Sequence, residues 1–138
     1  MSDIAIVDAG PLYAAADESD DSHEAVLAVL QRPDLHLVVP ALVITEVAYL
    51  IAKRLGPGAE VAFLRGMGTL DVECPAPEDW TRIADLAERY ADFPLGAVDA
   101  SVVALAERLG TDLVITLDRR HFSAVQPRHC LALRLLPE

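Results

Sequence analysis

Asp8, Glu46, Asp99 and Asp118 are the residues of this chain whose types and placement best suit chemistry. Asp8 directly follows the apolar run Ile4-Ala5-Ile6-Val7, and Asp118 directly follows Leu113-Val114-Ile115-Thr116-Leu117. Such a run ending in a carboxylate reads as a buried strand that delivers an acid to its carboxyl end, where open α/β sheets bind ligands. Glu46 is the one charge between Ala41 and Ala52. A helix apolar on every face is expected to be buried, and an unpaired buried carboxylate is costly, so Glu46 must meet a cation, a basic partner or a wet edge. Asp99 heads a helical stretch to Leu109, after Gly96. Each position also has a plain structural explanation: a local turn bond for Asp8 and Asp118, an N-cap for Asp99, an exposed helical glutamate for Glu46.

Convergence of all four would make a site for Mg²⁺ or Mn²⁺, hard ions that take oxygen ligands. Crowded carboxylates repel one another and raise their own pKa values, a penalty that a cation removes. An ion held there lowers the pKa of water, polarises a phosphate and stabilises a leaving oxygen, which points to phosphate-ester chemistry. One ion and two are equally compatible with the sequence. His23, His36, His121 and His129 are scattered, and no Cys and His spacing suggests zinc. Thr116 shares a face with Asp118 if both are in strand geometry, and its hydroxyl could then orient water or phosphate. Arg119 and Arg120 are placed either to contact nucleic-acid phosphates or to pair with surface acids.

The elements that must position these residues alternate. Strands are expected at Ile4–Val7, Leu35–Val39, Leu70–Cys74, Leu113–Leu117 and Cys130–Leu135. A helical turn is expected at Leu12–Ala16, and helices at His23–Gln31, Pro40–Leu55, Ala59–Arg65, from Pro77 onward and at Asp99–Leu109. Gly56-Pro57-Gly58 should stop the long helix, and 93–98 reads as a loop. Short apolar runs separated by helices predict an α/β fold, a three-layer α/β/α sandwich with a mostly parallel central sheet. Residues 1–138 read as one domain.

Composition narrows the class. Apolar residues make up 53%, enough for a core without staples, and Cys74 and Cys130 read as reduced, buried thiols. The opening residues do not resemble a signal peptide, and no apolar run is long enough to span a membrane, so a cytoplasmic location is expected. The net charge of −11 counts against a passive nucleic-acid binder but not against an enzyme with a bound cation. Leu12, Tyr13, Val61, Phe63 and Leu64 could form a dimer or partner surface, or plain helix packing, and Trp80 is expected to lie over its own helix.

The segments Ile6-Val7-Asp8-Ala9-Gly10-Pro11-Leu12, Thr45-Glu46-Val47, Val98-Asp99-Ala100 and Leu117-Asp118-Arg119-Arg120-His121-Phe122 resemble, in order and spacing, the PIN-domain ribonucleases. Within them the chain is most similar to the VapC-type toxins of bacterial, especially mycobacterial, toxin and antitoxin pairs. That resemblance implies a metal-dependent endoribonuclease with Asp8, Glu46, Asp99 and Asp118 as its acidic quartet. It also implies an RNA substrate, often tRNA or an rRNA loop, a 5′-phosphate product, a homodimer, and silencing by a VapB-like antitoxin. One departure stands out: the family often has Ser or Thr two residues after its first Asp, where this chain has Gly10. Two other readings stay open, a weakly active or inactive interaction module on the same fold and an aspartyl-phosphate phosphatase using Asp8. The second would want an Asp at position 10.

Overall fold

Residues 2–138 are described by a computed structural model. Its elements are β1 (Asp3–Val7), α1 (Ala9–Ala16), α2 (His23–Leu30), β2 (Leu35–Pro40), α3 (Ala41–Leu55), α4 (Pro57–Met67) and β3 (Asp71–Glu73), followed by α5 (Pro77–Arg89), α6 (Ala97–Leu109), β4 (Leu113–Ile115), α7 (Arg119–Ala124) and β5 (Arg134–Leu136). The five strands form one parallel sheet in the order β3-β2-β1-β4-β5. β1 is central, with Ala5, Ile6 and Val7 fully buried, which is why its text is continuously apolar rather than alternating. From β1 the chain builds outward through β2 to β3, then crosses back to lay β4 on the other side of β1. The reversal lies between β1 and β4, where Ile6 pairs with Val114 and Val7 with Ile115. Connections leaving in opposite directions open a crevice at the carboxyl ends of these two strands.

Helix α6 packs against β1, β2 and β4, and α5 packs on α6. Small and β-branched residues let α6 lie close to the sheet: Ala100, Val102, Val103, Ala104, Leu105 and Ala106 are all buried. Gly110 closes the helix in the left-handed region at φ 69°, a conformation that favours glycine. Two ion pairs fasten α5 to its far end. Arg82 meets the Glu107 carboxylate with Nε at 2.8 Å and Nη2 at 2.9 Å, and Arg108 Nε reaches Asp79 Oδ2 at 2.8 Å. These bonds fix the helix that carries Asp99 at its opposite end.

The expected α/β/α sandwich with a parallel sheet is the observed fold, with several boundaries moved. Gly56, at φ 95°, is the whole connection between α3 and α4, and Pro57 begins α4 instead of helping to end α3. Proline suits the first helical position because its missing N–H would have no partner there. The first helix is a full α1 from Ala9, longer than one turn. The last strand is shorter than its apolar text, because β4 offers only Leu113–Ile115 as a partner and 130–133 lie outside the ladder. Cys74 and Cys130 are free thiols, but Cys74 is exposed and Cys130 half-buried, since neither occupies a paired strand. Leu12, Tyr13 and Phe63 are buried in the core, whereas Val61 and Leu64 on α4 are 47% exposed. Trp80 is half exposed.

Candidate metal centre

The site assembles where the sheet reverses direction. Asp8 is the residue after β1, and its backbone N–H donates to Ile115 O of β4 at 2.9 Å, which fixes it beside the neighbouring strand. Its side chain makes no capping bond to α1. Instead Asp8 Oδ2 accepts a 2.8 Å bond from Thr116 Oγ1, and that oxygen in turn accepts the Asp118 backbone N–H at 3.0 Å. One buried hydroxyl therefore ties the Asp8 carboxylate to the backbone of Asp118, the two acids that follow the two central strands. Thr116 lies just past β4, so the link arises from the turn and not from a shared strand face.

Asp8 is only 5% exposed, and among the described residues its Oδ1 is sealed from solvent without a hydrogen-bond partner. Burial pushes its carboxyl above the ordinary range; the Thr116 bond and the Ala9 backbone N–H oppose this, while the charges of Glu46 and Asp118 add to it. Asp99 is the third residue of α6, and Gly96 holds the N-cap position, so the cap role open to Asp99 on sequence grounds is not the one it has. Its carboxyl is pushed up to about 6, first by desolvation and then by the charges of Asp8 and Asp118. Glu46 contributes to both shifts. The acidic quartet thus forms one electrostatic neighbourhood.

Glu46 itself corrects an expectation. Helix α3 is not buried on every face: it buries Val43, Val47 and Ile51, while Glu46 and Tyr49 are exposed. Glu46 therefore meets a wet edge, on the rim of the group. Asp118 caps α7, accepting the His121 N–H on Oδ1 at 3.1 Å, while its Oδ2 lies 2.8 Å from His121 Nδ1. Carboxylate oxygens of Asp99 and Asp118 and a ring nitrogen of His121 lie within 4.8 Å of one another, a group able to hold a metal ion. Histidine 121 was not singled out from the sequence. Its available signal was the i,i+3 spacing from an aspartate that begins a helix, which puts the ring over the capping carboxylate.

The arginines after Asp118 part company. Arg119 donates to the backbone carbonyls of Leu135, at 3.3 Å, and Pro137. Arg120 is exposed, with its guanidinium over the Phe93 ring at 5.3 Å. Phe93 also meets His121 edge-on, with centroids 4.7 Å apart. At Gly10 a Cβ would approach Leu117 Cβ no closer than 3.5 Å, so the chain has ordinary space where the family often carries a hydroxyl.

The residues present fit a divalent cation. An acceptor-only oxygen buried without a donor, beside a carboxyl group raised by burial and then by neighbouring negative charge, is the electrostatic imprint of a cation site. Among the described residues no helix is long and apolar enough to cross a membrane.

A family model for the PIN domain matches residues 5–126. Ribonuclease VapC26 of Mycobacterium tuberculosis is 36% identical over 124 residues, covering 88% of this chain and 92% of that protein. The crystal structure of M. tuberculosis VapC20, a sarcin-ricin-loop-cleaving toxin, shares the fold with a TM-score of 0.71 at 20% identity, over 80% of this chain and 86% of its own. VapBC2 from Rickettsia felis, crystallised with a DNA fragment from its promoter, matches with a TM-score of 0.69 at 15% identity, covering 96% and 98%. Family membership and the Asp–His group together support metal-dependent nuclease chemistry. The matched span includes all four acids, and the identity runs over 88% of the chain: the protein belongs to the PIN-domain family, as a VapC-type member.

Proposed function

We propose that this protein is a Mg²⁺- or Mn²⁺-dependent endoribonuclease toxin that hydrolyses RNA phosphodiester bonds and is neutralised by a VapB-like antitoxin. The observation that carries the reading is the buried, unpartnered Oδ1 of Asp8 in the shared field of Glu46, Asp99 and Asp118. Asp8, Asp99 and Asp118 are the residues that would hold the ion, with Glu46 contributing from the rim. When bound, the ion supplies a lowered water pKa and charge stabilisation at the scissile phosphate.

The chain's own groups set up that chemistry. Thr116 fixes the rotamer of Asp8 and, through the Asp118 N–H, the start of α7, so both carboxylates are positioned before substrate arrives. The core around Asp8 excludes water from one side of the site and leaves the Glu46 side open to a phosphodiester. Arg120 is the basic residue free to meet an RNA phosphate, whereas Arg119 would first have to release two backbone carbonyls. The RNA target is read by class from the relatives, since VapC26 is a ribonuclease and VapC20 cleaves the sarcin-ricin loop. An antitoxin partner is supported by the VapBC assembly among the structural matches, and a homodimer by the family resemblance.

Structured RNA incubated with the purified protein and Mg²⁺ or Mn²⁺ tests the reading, with Asp8→Asn and Asp99→Asn alongside. Cleavage to 5′-phosphate ends that EDTA abolishes, and that each variant loses by about 100-fold or more, is the expected result. Equal, EDTA-resistant cleavage by all three proteins would exclude it.

A further inference from the structure

The acidic group contains one imidazole that carboxylate chemistry leaves unused. The His121 side chain is only 19% exposed, and its ring is held on two sides: Nδ1 lies 2.8 Å from Asp118 Oδ2, and Phe93 packs edge-on at 4.7 Å. Its Nε2 is sealed from solvent and, among the described residues, has no hydrogen-bond partner. Nδ1 and Asp118 Oδ2 are no farther apart than two adjacent ligands of one ion, so the neutral ring that carries its proton on the sealed Nε2 presents the Nδ1 lone pair beside the Asp118 carboxylate.

The Oδ1 of the deeply buried Asp8, whose charge acts on Asp99, is a further unpartnered atom of this acidic group. One ring nitrogen of His121 already lies within 4.8 Å of oxygens from both Asp99 and Asp118. Donors about 2.1 Å from one ion sit up to about 4.2 Å apart in trans, so a closure of about 0.6 Å brings the widest pair to that limit. Building on the metal-dependent reading above, we propose that His121 supplies a nitrogen ligand to the divalent ion alongside Asp99 and Asp118, and thereby biases the site from Mg²⁺ towards Mn²⁺. The basis is ligand chemistry. Mg²⁺ is served by oxygen donors and holds its waters, whereas imidazole nitrogen suits the first-row transition ions, of which Mn²⁺ is the first in affinity order. A purely carboxylate site would discriminate less between the two.

Calorimetric titration of the full chain with MnCl₂ and with MgCl₂, for wild type, His121→Asn and His121→Leu, reads the bias. Pulsed electron paramagnetic resonance of the Mn²⁺-loaded proteins reads the ligand. Asparagine keeps an N–H for Asp118 and leucine keeps apolar bulk against Phe93, while far-UV dichroism and melting curves report folding. Wild type should bind Mn²⁺ at least about tenfold more tightly than Mg²⁺ and show nitrogen coupling that changes on ¹⁵N-histidine labelling. Either substitution should weaken Mn²⁺ about tenfold or more, change Mg²⁺ less than about threefold, and abolish the coupling. Mn²⁺ binding without nitrogen coupling, or an unchanged Mn²⁺ to Mg²⁺ ratio in folded variants, overturns the role of His121 and leaves the carboxylate site standing. Failure of wild type to bind either ion overturns the metal-dependent reading itself. Should both variants misfold, the wild-type coupling still decides.

Discussion

The Thr116 hydroxyl has one proton and two lone pairs, and the fold uses it to join residues 108 positions apart. It donates to Asp8 and accepts from the Asp118 N–H. Thr116→Val keeps the shape but leaves two buried partners unsatisfied, so we expect a loss of about 1–3 kcal/mol in urea unfolding, with Thr116→Ser close to wild type. Asp99 gives a pH prediction with a definite sign. Its carboxyl group is raised from 3.8 to about 6, so the ionised form is the unfavourable one in the metal-free fold. The associated stability is fully present below about 4 and is lost as pH rises through 6. Between pH 7.5 and 5 the metal-free wild type should therefore gain at most about 1 kcal/mol relative to Asp99→Asn, after allowance for solvent screening. The carboxylates of Asp17, Asp34 and Glu107 are shifted downward, and their contribution is lost only at lower pH, outside that window. With saturating Mn²⁺ the trend should reverse, because protons and the ion compete for Asp99. Melting temperatures across pH with and without Mn²⁺ check both signs. At this scale Asp8 and Asp118 were legible because a strand end announces itself by an abrupt stop in apolar text. His121 was not, since its meeting with Asp99 depends on how α7 turns after Asp118.

Helix α6 is the element on which the site most depends, because it brings Asp99 to the crevice while its other end is pinned to α5. The Arg82 and Glu107 side chains are only 13% and 10% exposed, and their contact is two-pronged. Arg82→Met strands a largely buried carboxylate, and also removes a partner from an acid that holds the Arg128 backbone N–H. We expect a loss of about 2–3 kcal/mol, below the cost of breaking a fully buried pair because the site is partly wet. Metal affinity at the distant end should change less than threefold or so if α6 moves as a rigid body; chemical denaturation and metal titration on one variant separate the two effects. The elements were readable in type but not in extent. Helix α3 looked buried all round because its text is apolar, yet only Val43, Val47 and Ile51 are fully buried, while Ile44, Ala48 and Leu50 pack partly against the core and Tyr49 is exposed. Similarly, apolar text from Cys130 predicted a long final strand, but pairing is limited by the three residues of β4. Apolar identity reports what can be buried; the neighbouring element decides how much is.

For the molecule as a whole, the net charge of −11 sets the sign of its long-range encounter with RNA. Two polyanions repel, so added salt should speed association. We expect kcat/KM for RNA cleavage to rise between about 20 and 150 mM KCl at saturating metal, opposite to the steep fall of proteins that bind through basic patches. A steep fall would mean that a local basic surface around Arg120 dominates instead. The overall topology was the most legible feature, because alternation of short apolar runs with helices leaves few arrangements other than a parallel sheet with right-handed crossovers. Strand order, and with it the reversal between β1 and β4, was not written in any single segment. That reversal opens the crevice where Asp8 after β1 and Asp118 after β4 meet Asp99 of α6, and the whole account rests on these acids, Asp8 and Asp99 first, sharing an ion. Crystals grown with MnCl₂, with data collected at the manganese absorption edge, test this most directly. The account predicts an anomalous peak within about 2.0–2.3 Å of carboxylate oxygens from both Asp8 and Asp99. A fully occupied Mn²⁺ bound elsewhere, with Asp8 and Asp99 in an intact crevice free of any peak, would contradict it.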